Sequence, residues 1–167
     1  MMDIAAYLTR LGYTGPLDPN ADTLRGLHRA HLQVAPFENL DIHLGRPIVL
    51  DEAALFDKIV HRRRGGFCYE LNGLFAGLLR ALGFSVDLLS ARVSIGTGDF
   101  GPDFDHLVLR VHVDGGWLAD VGFGDCFSEP LRFDDPADQI RDGRVYRLAR
   151  GDGQCKLMAR AGEDWDD

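Results

Sequence analysis

The hydrophobic period of this 167-residue chain changes at Gly83, so a helical half precedes a strand half. Upstream, apolar residues recur at three- and four-residue intervals: Ile4, Tyr7, Leu8 and Leu11; Leu24 and Leu27 with His31; Leu55, Ile59 and Val60; and Leu71, Leu74, Phe75, Leu78, Leu79 and Leu82. That spacing predicts four helices, each burying one face. Asp22 and Asp51 are placed to cap the second and third. Downstream, residues 84–89, 91–95, 106–113 and 117–124 read as strands, and 145–148 and 155–158 flank Gly151-Asp152-Gly153 as a hairpin. The expected class is α+β, with a helical unit over 1–83 and an antiparallel strand unit over 84–167. Residues 96–102, rich in glycine, read either as a mobile loop beside His106 or as a plain hairpin connection.

Composition narrows the function classes. With 46% apolar and 26% charged residues the chain is an ordinary globular protein. The net charge of −8 argues against general nucleic-acid binding, and the run Arg62-Arg63-Arg64 is too short to reverse it. No stretch has the ~18 apolar residues of a membrane span, and the N-terminus lacks a basic region followed by an apolar one. A cytoplasmic location is expected. Cysteines at 68, 126 and 155 have neither metal spacing nor an even number, and Cys126 and Cys155 are read as packing residues. His28 and His31 share a helix face without an acidic neighbour, so no metal is expected.

The segment Arg64-Gly65-Gly66-Phe67-Cys68-Tyr69-Glu70-Leu71-Asn72 places a cysteine where a glycine-rich loop enters an apolar-striped helix. The first helical turn presents unpaired N–H groups and the positive end of the macrodipole, which favour S⁻ over SH. Cys68 also lies on the Leu71 stripe, where a free cysteine packs as a small hydrophobe. Both readings stand on these residues alone. The two glycines leave room for a substrate to approach, and Arg64 is placed to pair with Glu38 and brace the loop.

A cysteine nucleophile needs a base and a group to orient it, usually distant in sequence. His106 opens the strand His106-Leu107-Val108-Leu109-Arg110-Val111-His112-Val113, and Asp120 is the single charge in Trp117-Leu118-Ala119-Asp120-Val121-Gly122-Phe123-Gly124. A buried aspartate needs a partner. A turn over residues 114–116 sets Asp120 opposite Arg110, roughly 13 Å along the ladder from His106, so their meeting requires a bulge, strong coiling or a different turn.

Four ordered motifs, namely residues 64–73, Ala35-Pro36-Phe37-Glu38-Asn39-Leu40, His106-Leu107-Val108-Leu109 and residues 117–124, closely resemble the arylamine N-acetyltransferases. The resemblance implies a Cys68-His106-Asp120 triad. It implies ping-pong transfer of acetyl from acetyl-CoA, through an acetyl-cysteine, to an arylamine, arylhydrazine or related foreign amine. The implied architecture is papain- or transglutaminase-like: a helical domain, a β-barrel domain, and a third α/β domain closing the cleft. The chain ends where that third domain is expected, and residues 163–167 read as an interruption inside the barrel. Phe37 and Phe123 are expected to wall the amine site, and Gly124 to admit the thiol end of CoA. Backbone N–H groups of Cys68 and Tyr69 are expected to receive the oxyanion.

Two other classes use the same residues. A papain- or transglutaminase-type hydrolase carries this triad beside a peptide groove, and a piece lacking the third domain is a non-catalytic binding module. Association into a homo-oligomer is compatible with all three.

Overall fold

The computed structural model describes residues 2–96, 98–151 and 153–160. Helices α1 (Ile4–Leu11), α2 (Ala21–Val34), α3 (Leu40–His43), α4 (Glu52–Phe56) and α5 (Cys68–Ala81) precede seven strands. These are β1 (Ser85–Ala91), β2 (His106–His112), β3 (Gly116–Ala119), β4 (Leu131–Arg132), β5 (Gln139–Arg141), β6 (Arg144–Gly151) and β7 (Gln154–Arg160). Asp51 caps α4 by accepting from Ala54 N at 2.8 Å, as expected. The cap of α2 is Asn20, which accepts from Thr23 N at 2.9 Å, and not Asp22. Only Asn20 has the extended backbone that an N-cap requires. Asp22 lies in the first turn, paired with Arg25 at 2.6 Å.

Beyond α4 the chain makes a π-helical turn over Asp57–His61, and the wider turn buries three consecutive residues, Lys58, Ile59 and Val60. Buried Arg10 donates through Nε to the Ile59 carbonyl at 3.0 Å, satisfying an acceptor that the irregular turn leaves without an ordinary helical partner.

The strands form two antiparallel sheets, β1-β2-β3-β4 and β5-β6-β7, and the described residues close no barrel. This corrects the expected barrel, and Gln139 supplies the physical reason. Its side-chain amide, not its backbone, bonds to the exposed edge of β4, accepting from Arg132 N at 2.7 Å and donating to Arg132 O at 2.9 Å. A side chain there replaces the ladder that would have joined the sheets. The expected strand over 91–95 is reduced to a bridge between Ser94 and Phe100. Gly101 N donates to Val93 O at 2.8 Å, which ties together the residues on either side of this segment. Residues 163–167 lie outside the described residues.

β2 is buried on both faces, which explains why its sequence is nearly continuous in apolar residues. Leu109 and Val111, with Trp117 and Ala119 of β3, join Leu71, Leu74, Phe75 and Leu78 of α5 in one core that runs across Gly83. Val108 and Leu118 face the other way, against Phe127, Leu131, Tyr146 and Leu148. Cys126 packs against that second core. Cys155 is exposed on edge strand β7 and does not pack as expected.

His28 and His31 are fully buried, and burial pushes their pKa values down to about 4 and about 3. Both titrate near ~6.5 once unfolded, so between pH ~6.5 and 4 the unfolded chain binds more protons and stability is lost as the pH is lowered. We expect the urea midpoint to drop steeply across that interval. His28→Gln should flatten the drop by removing one of the two groups.

Candidate active site

The loop before α5 is shaped by contact with the segment at Pro36. Gly66 N donates to Pro36 O at 3.2 Å, and Glu38 N donates to Gly66 O at 2.9 Å. A Cβ on Gly65 would lie 1.9 Å from Pro36 O, so only glycine permits this approach. The pairing carries Phe37 to the mouth of the site.

Cys68 is the first residue of α5, buried at 7% exposure. The preceding residue, Phe67, has no side-chain acceptor for the helix start. The Glu70 carboxylate reaches back instead to accept from Phe67 N at 3.1 Å, one half of a capping box. Glu70 is buried and held by Lys58 Nζ at 2.8 Å from both its oxygens. Lys58 also meets Asp41 at 2.9 Å, and Arg64 joins Asp41 at 2.9 Å to Glu38 at 2.7 Å. The expected Arg64–Glu38 brace is therefore the outer edge of a larger ionic cluster beneath the cysteine loop. Hydrogen bonds from Arg64 and Lys58 hold the Asp41 carboxyl well below the usual carboxylate range.

The hairpin register resolves the distance between His106 and Asp120. His112 pairs with Gly116 and Leu109 with Ala119, so the turn occupies residues 113–115, with Asp114 and Gly115 at φ 45° and 98°. Continued one step, that register sets Asp120 beside Val108 instead of Arg110. The chain leaves the ladder there, and the Asp120 carboxylate turns to meet His106 Nε2 at 2.7 Å. Asp120 Oδ1 accepts from Asn72 Nδ2 at 2.8 Å and Gly122 N at 2.9 Å. Asn72 in turn accepts from Val121 N at 2.9 Å and donates to Leu107 O at 2.7 Å. A Cβ on Gly122 would lie 2.8 Å from Cys68 Cα, so this strand exit lies flush against the start of α5.

Burial of His106 opposes its charge, but hydrogen bonds to Asp120 and Cys68 outweigh it, and the pKa is raised to about 9. With Nε2 committed to Asp120, Nδ1 is the ring nitrogen left to meet the Cys68 side chain. Cys68, His106 and Asp120 are thereby joined in one line.

Cys68 and His106 open on a cleft of about 400 Å³ that Phe37, Phe123, Asp105 and Ile42 also line. Phe37 and Phe123 are 45% and 42% exposed, which places both expected aromatic walls at the cleft surface, away from the core. Phe123 stands edge-on to the His106 ring with centroids 5.2 Å apart. Gly124 has φ 95°, and its Cβ position would fall 3.6 Å from the Phe37 Cβ. A hollow of about 420 Å³ beside Phe133, Arg150 and Cys155 has no histidine among its described lining residues. Among the described residues no group of three or more His, Cys, Asp or Glu is arranged to hold a metal ion, and no helix is long and apolar enough to cross a membrane.

Sequence reasoning missed Asn72, Lys58, Asp41, Glu70 and His28. Lys58 and Asn72 carry a usable signal, since each is a polar residue beside an apolar helical stripe and so needs a buried partner.

The N-acetyltransferase family model matches residues 20–167. Arylamine N-acetyltransferases of Mycolicibacterium smegmatis and Salmonella typhimurium are each 44% identical, over 98% and 96% of this chain. The chain belongs to the arylamine N-acetyltransferase family. It spans 62% and 58% of the length of those two relatives. The Salmonella typhimurium enzyme structure superposes with a TM-score of 0.91 at 41% identity, covering 99% of this chain and 61% of that one. A Mycobacterium marinum arylamine N-acetyltransferase solved in complex with CoA gives a TM-score of 0.88 at 38% identity, covering 98% of this chain and 62% of that one.

Proposed function

We propose that this chain carries the acyl-transfer site of an arylamine N-acetyltransferase, with acetyl-CoA as donor and an arylamine, arylhydrazine or related amine as acceptor. The observation that carries this reading is the line from Cys68 at the start of α5 through His106 to Asp120, open on a cleft with two aromatic walls. Residues 1–83 contribute the nucleophile and residues 84–167 the base and its carboxylate, the division of labour of papain- and transglutaminase-like enzymes. The acceptor class follows from the family and from Phe37 and Phe123, flat apolar faces suited to an aromatic ring.

In the first half-reaction the Cys68 proton passes to His106 Nδ1 and the sulfur attacks the acetyl carbonyl of the thioester. Asp120 holds the ring in the required tautomer and stabilises its cation. N–H groups of Cys68 and Tyr69, at the start of α5, receive the developing oxyanion. The C–S bond to CoA breaks and His106 returns the proton to the departing thiolate. The second half repeats these steps with an amine: it attacks the acetyl-cysteine, loses a proton to His106, and Cys68 leaves as the thiol. Gly124, beside Phe37, is where the thiol end of CoA passes the backbone.

Intact-mass measurement after incubation with acetyl-CoA tests this reading. One acetyl group should appear on the unsubstituted chain and none on Cys68→Ala. A chain that stays unmodified, or one acetylated equally with and without Cys68, would overturn it.

A further inference from the structure

His28 is a fully buried histidine that the reaction itself does not use, and it lies 92 residues from the aspartate it contacts. Its Nε2 is 3.1 Å from the backbone N of Asp120, and its Nδ1 is 3.0 Å from the Ser128 carbonyl. The ring is stacked on Phe127 at 5.8 Å and stands edge-on to Phe75 at 6.2 Å. A carbonyl only accepts and a backbone N–H only donates. The two bonds therefore demand a single tautomer, proton on Nδ1 and a bare lone pair on Nε2. Imidazolium cannot satisfy both partners.

We propose that His28 is a positioning residue of the acyl-transfer site, whose unprotonated Nε2 fixes the Asp120 backbone where β3 ends and so sets the carboxylate against His106. The proposal rests on the reading of Cys68, His106 and Asp120 given above. Asp120 sits where the β2–β3 ladder has stopped, so no strand partner holds its N–H. The carboxylate is held by Asn72 and Gly122, and the backbone N–H by His28 of α2. A line of hydrogen bonds thus joins Asp142, through Ser128 N at 3.1 Å, to His28, Asp120 and His106. The charged or titratable groups whose fields reach His28 or are reached by it are Asp120 and, on the same helix, His31. Burial keeps His28 neutral, with its pKa down at about 4, which secures the bare lone pair at neutral pH.

Two substitutions separate the positioning role from packing. In His28→Gln the new amide oxygen reaches the place of Nε2, so an acceptor for Asp120 N–H is kept and the Ser128 bond is given up. In His28→Asn the shorter amide puts its nitrogen at the place of Nδ1, so the Ser128 bond is kept and the Asp120 bond is given up. Both lose the stack on Phe127 equally. The readout is the titration midpoint of His106, followed by NMR without any substrate, so it stands whether or not the chain acetylates. The midpoint should stay near 9 in His28→Gln and fall by about one unit or more in His28→Asn, as the carboxylate loosens. Equal midpoints in the two variants would overturn the proposal. Nitrogen-15 shifts of the unsubstituted protein give a test without substitution: a proton on Nε2 of His28 would also overturn it. Failed acetylation alongside the expected midpoints and tautomer would sink the catalytic reading alone.

Discussion

Asp120→Asn will slow acylation of Cys68 by acetyl-CoA by about a thousandfold or more while leaving the fold intact, the size of effect seen when a triad loses its orienting carboxylate. The direction follows from which oxygen does what. Oδ1 already accepts two donors, Asn72 Nδ2 and Gly122 N. An amide nitrogen cannot take that place, so the substituted side chain must turn its NH₂ toward His106 Nε2. Two donors then face each other unless the imidazole moves its proton from Nε2 to Nδ1. That tautomer presents an N–H to the Cys68 sulfur and cannot receive its proton. The charge on Asp120 is also part of what raises His106 to about 9, so alkylation of Cys68 by iodoacetamide should become markedly slower at pH 7 as well. Near-UV circular dichroism is the control. An Asp120→Asn variant that is acylated at the unsubstituted rate would show that Asp120 does not orient the base.

The helix-to-strand change at Gly83 and the placement of Cys68 at a helix start were legible from periodicity, and His106 and Asp120 were legible as candidates from pattern and family motif. Their meeting was not. A turn over 114–116 is as reasonable by composition as one over 113–115, yet the shift moves Asp120 by two ladder positions toward His106. Side-chain facing does not choose between them either, because a slip of two positions keeps Trp117 on the same face of the sheet as Leu109 and Val111. The barrel failed for a comparable reason. Gln139 reads as one polar residue among many in a strand-like stretch, and only its amide bonds to both Arg132 backbone groups show that it terminates a sheet. His28 was noted only as sharing a helix face with His31, since its partners Ser128 and Asp120 are about a hundred residues away, beyond the reach of local spacing.

The ionic cluster under the cysteine loop carries the second large effect. Lys58→Met should cost about 3–5 kcal/mol, since removing one partner of a buried pair leaves the other charge uncompensated. The side chains of Lys58 and Glu70 are only 6% and 4% exposed, and Lys58 Nζ contacts both Glu70 oxygens. Without that ammonium, Glu70 keeps one donor, Phe67 N at 3.1 Å, and the start of α5 rests on a buried and unpaired carboxylate. Adding Glu70→Gln removes the stranded charge while retaining an oxygen for Phe67 N, and Asp41 keeps Arg64 and Arg46 as partners. The double variant should therefore recover much of the loss, with a coupling energy of about 1–3 kcal/mol. Guanidinium unfolding of the two single variants and the double variant, at matched m-values, measures it. Additive losses would mean that Lys58 acts on this loop by packing alone and that its pairing with Glu70 contributes nothing to holding Cys68 at the helix start.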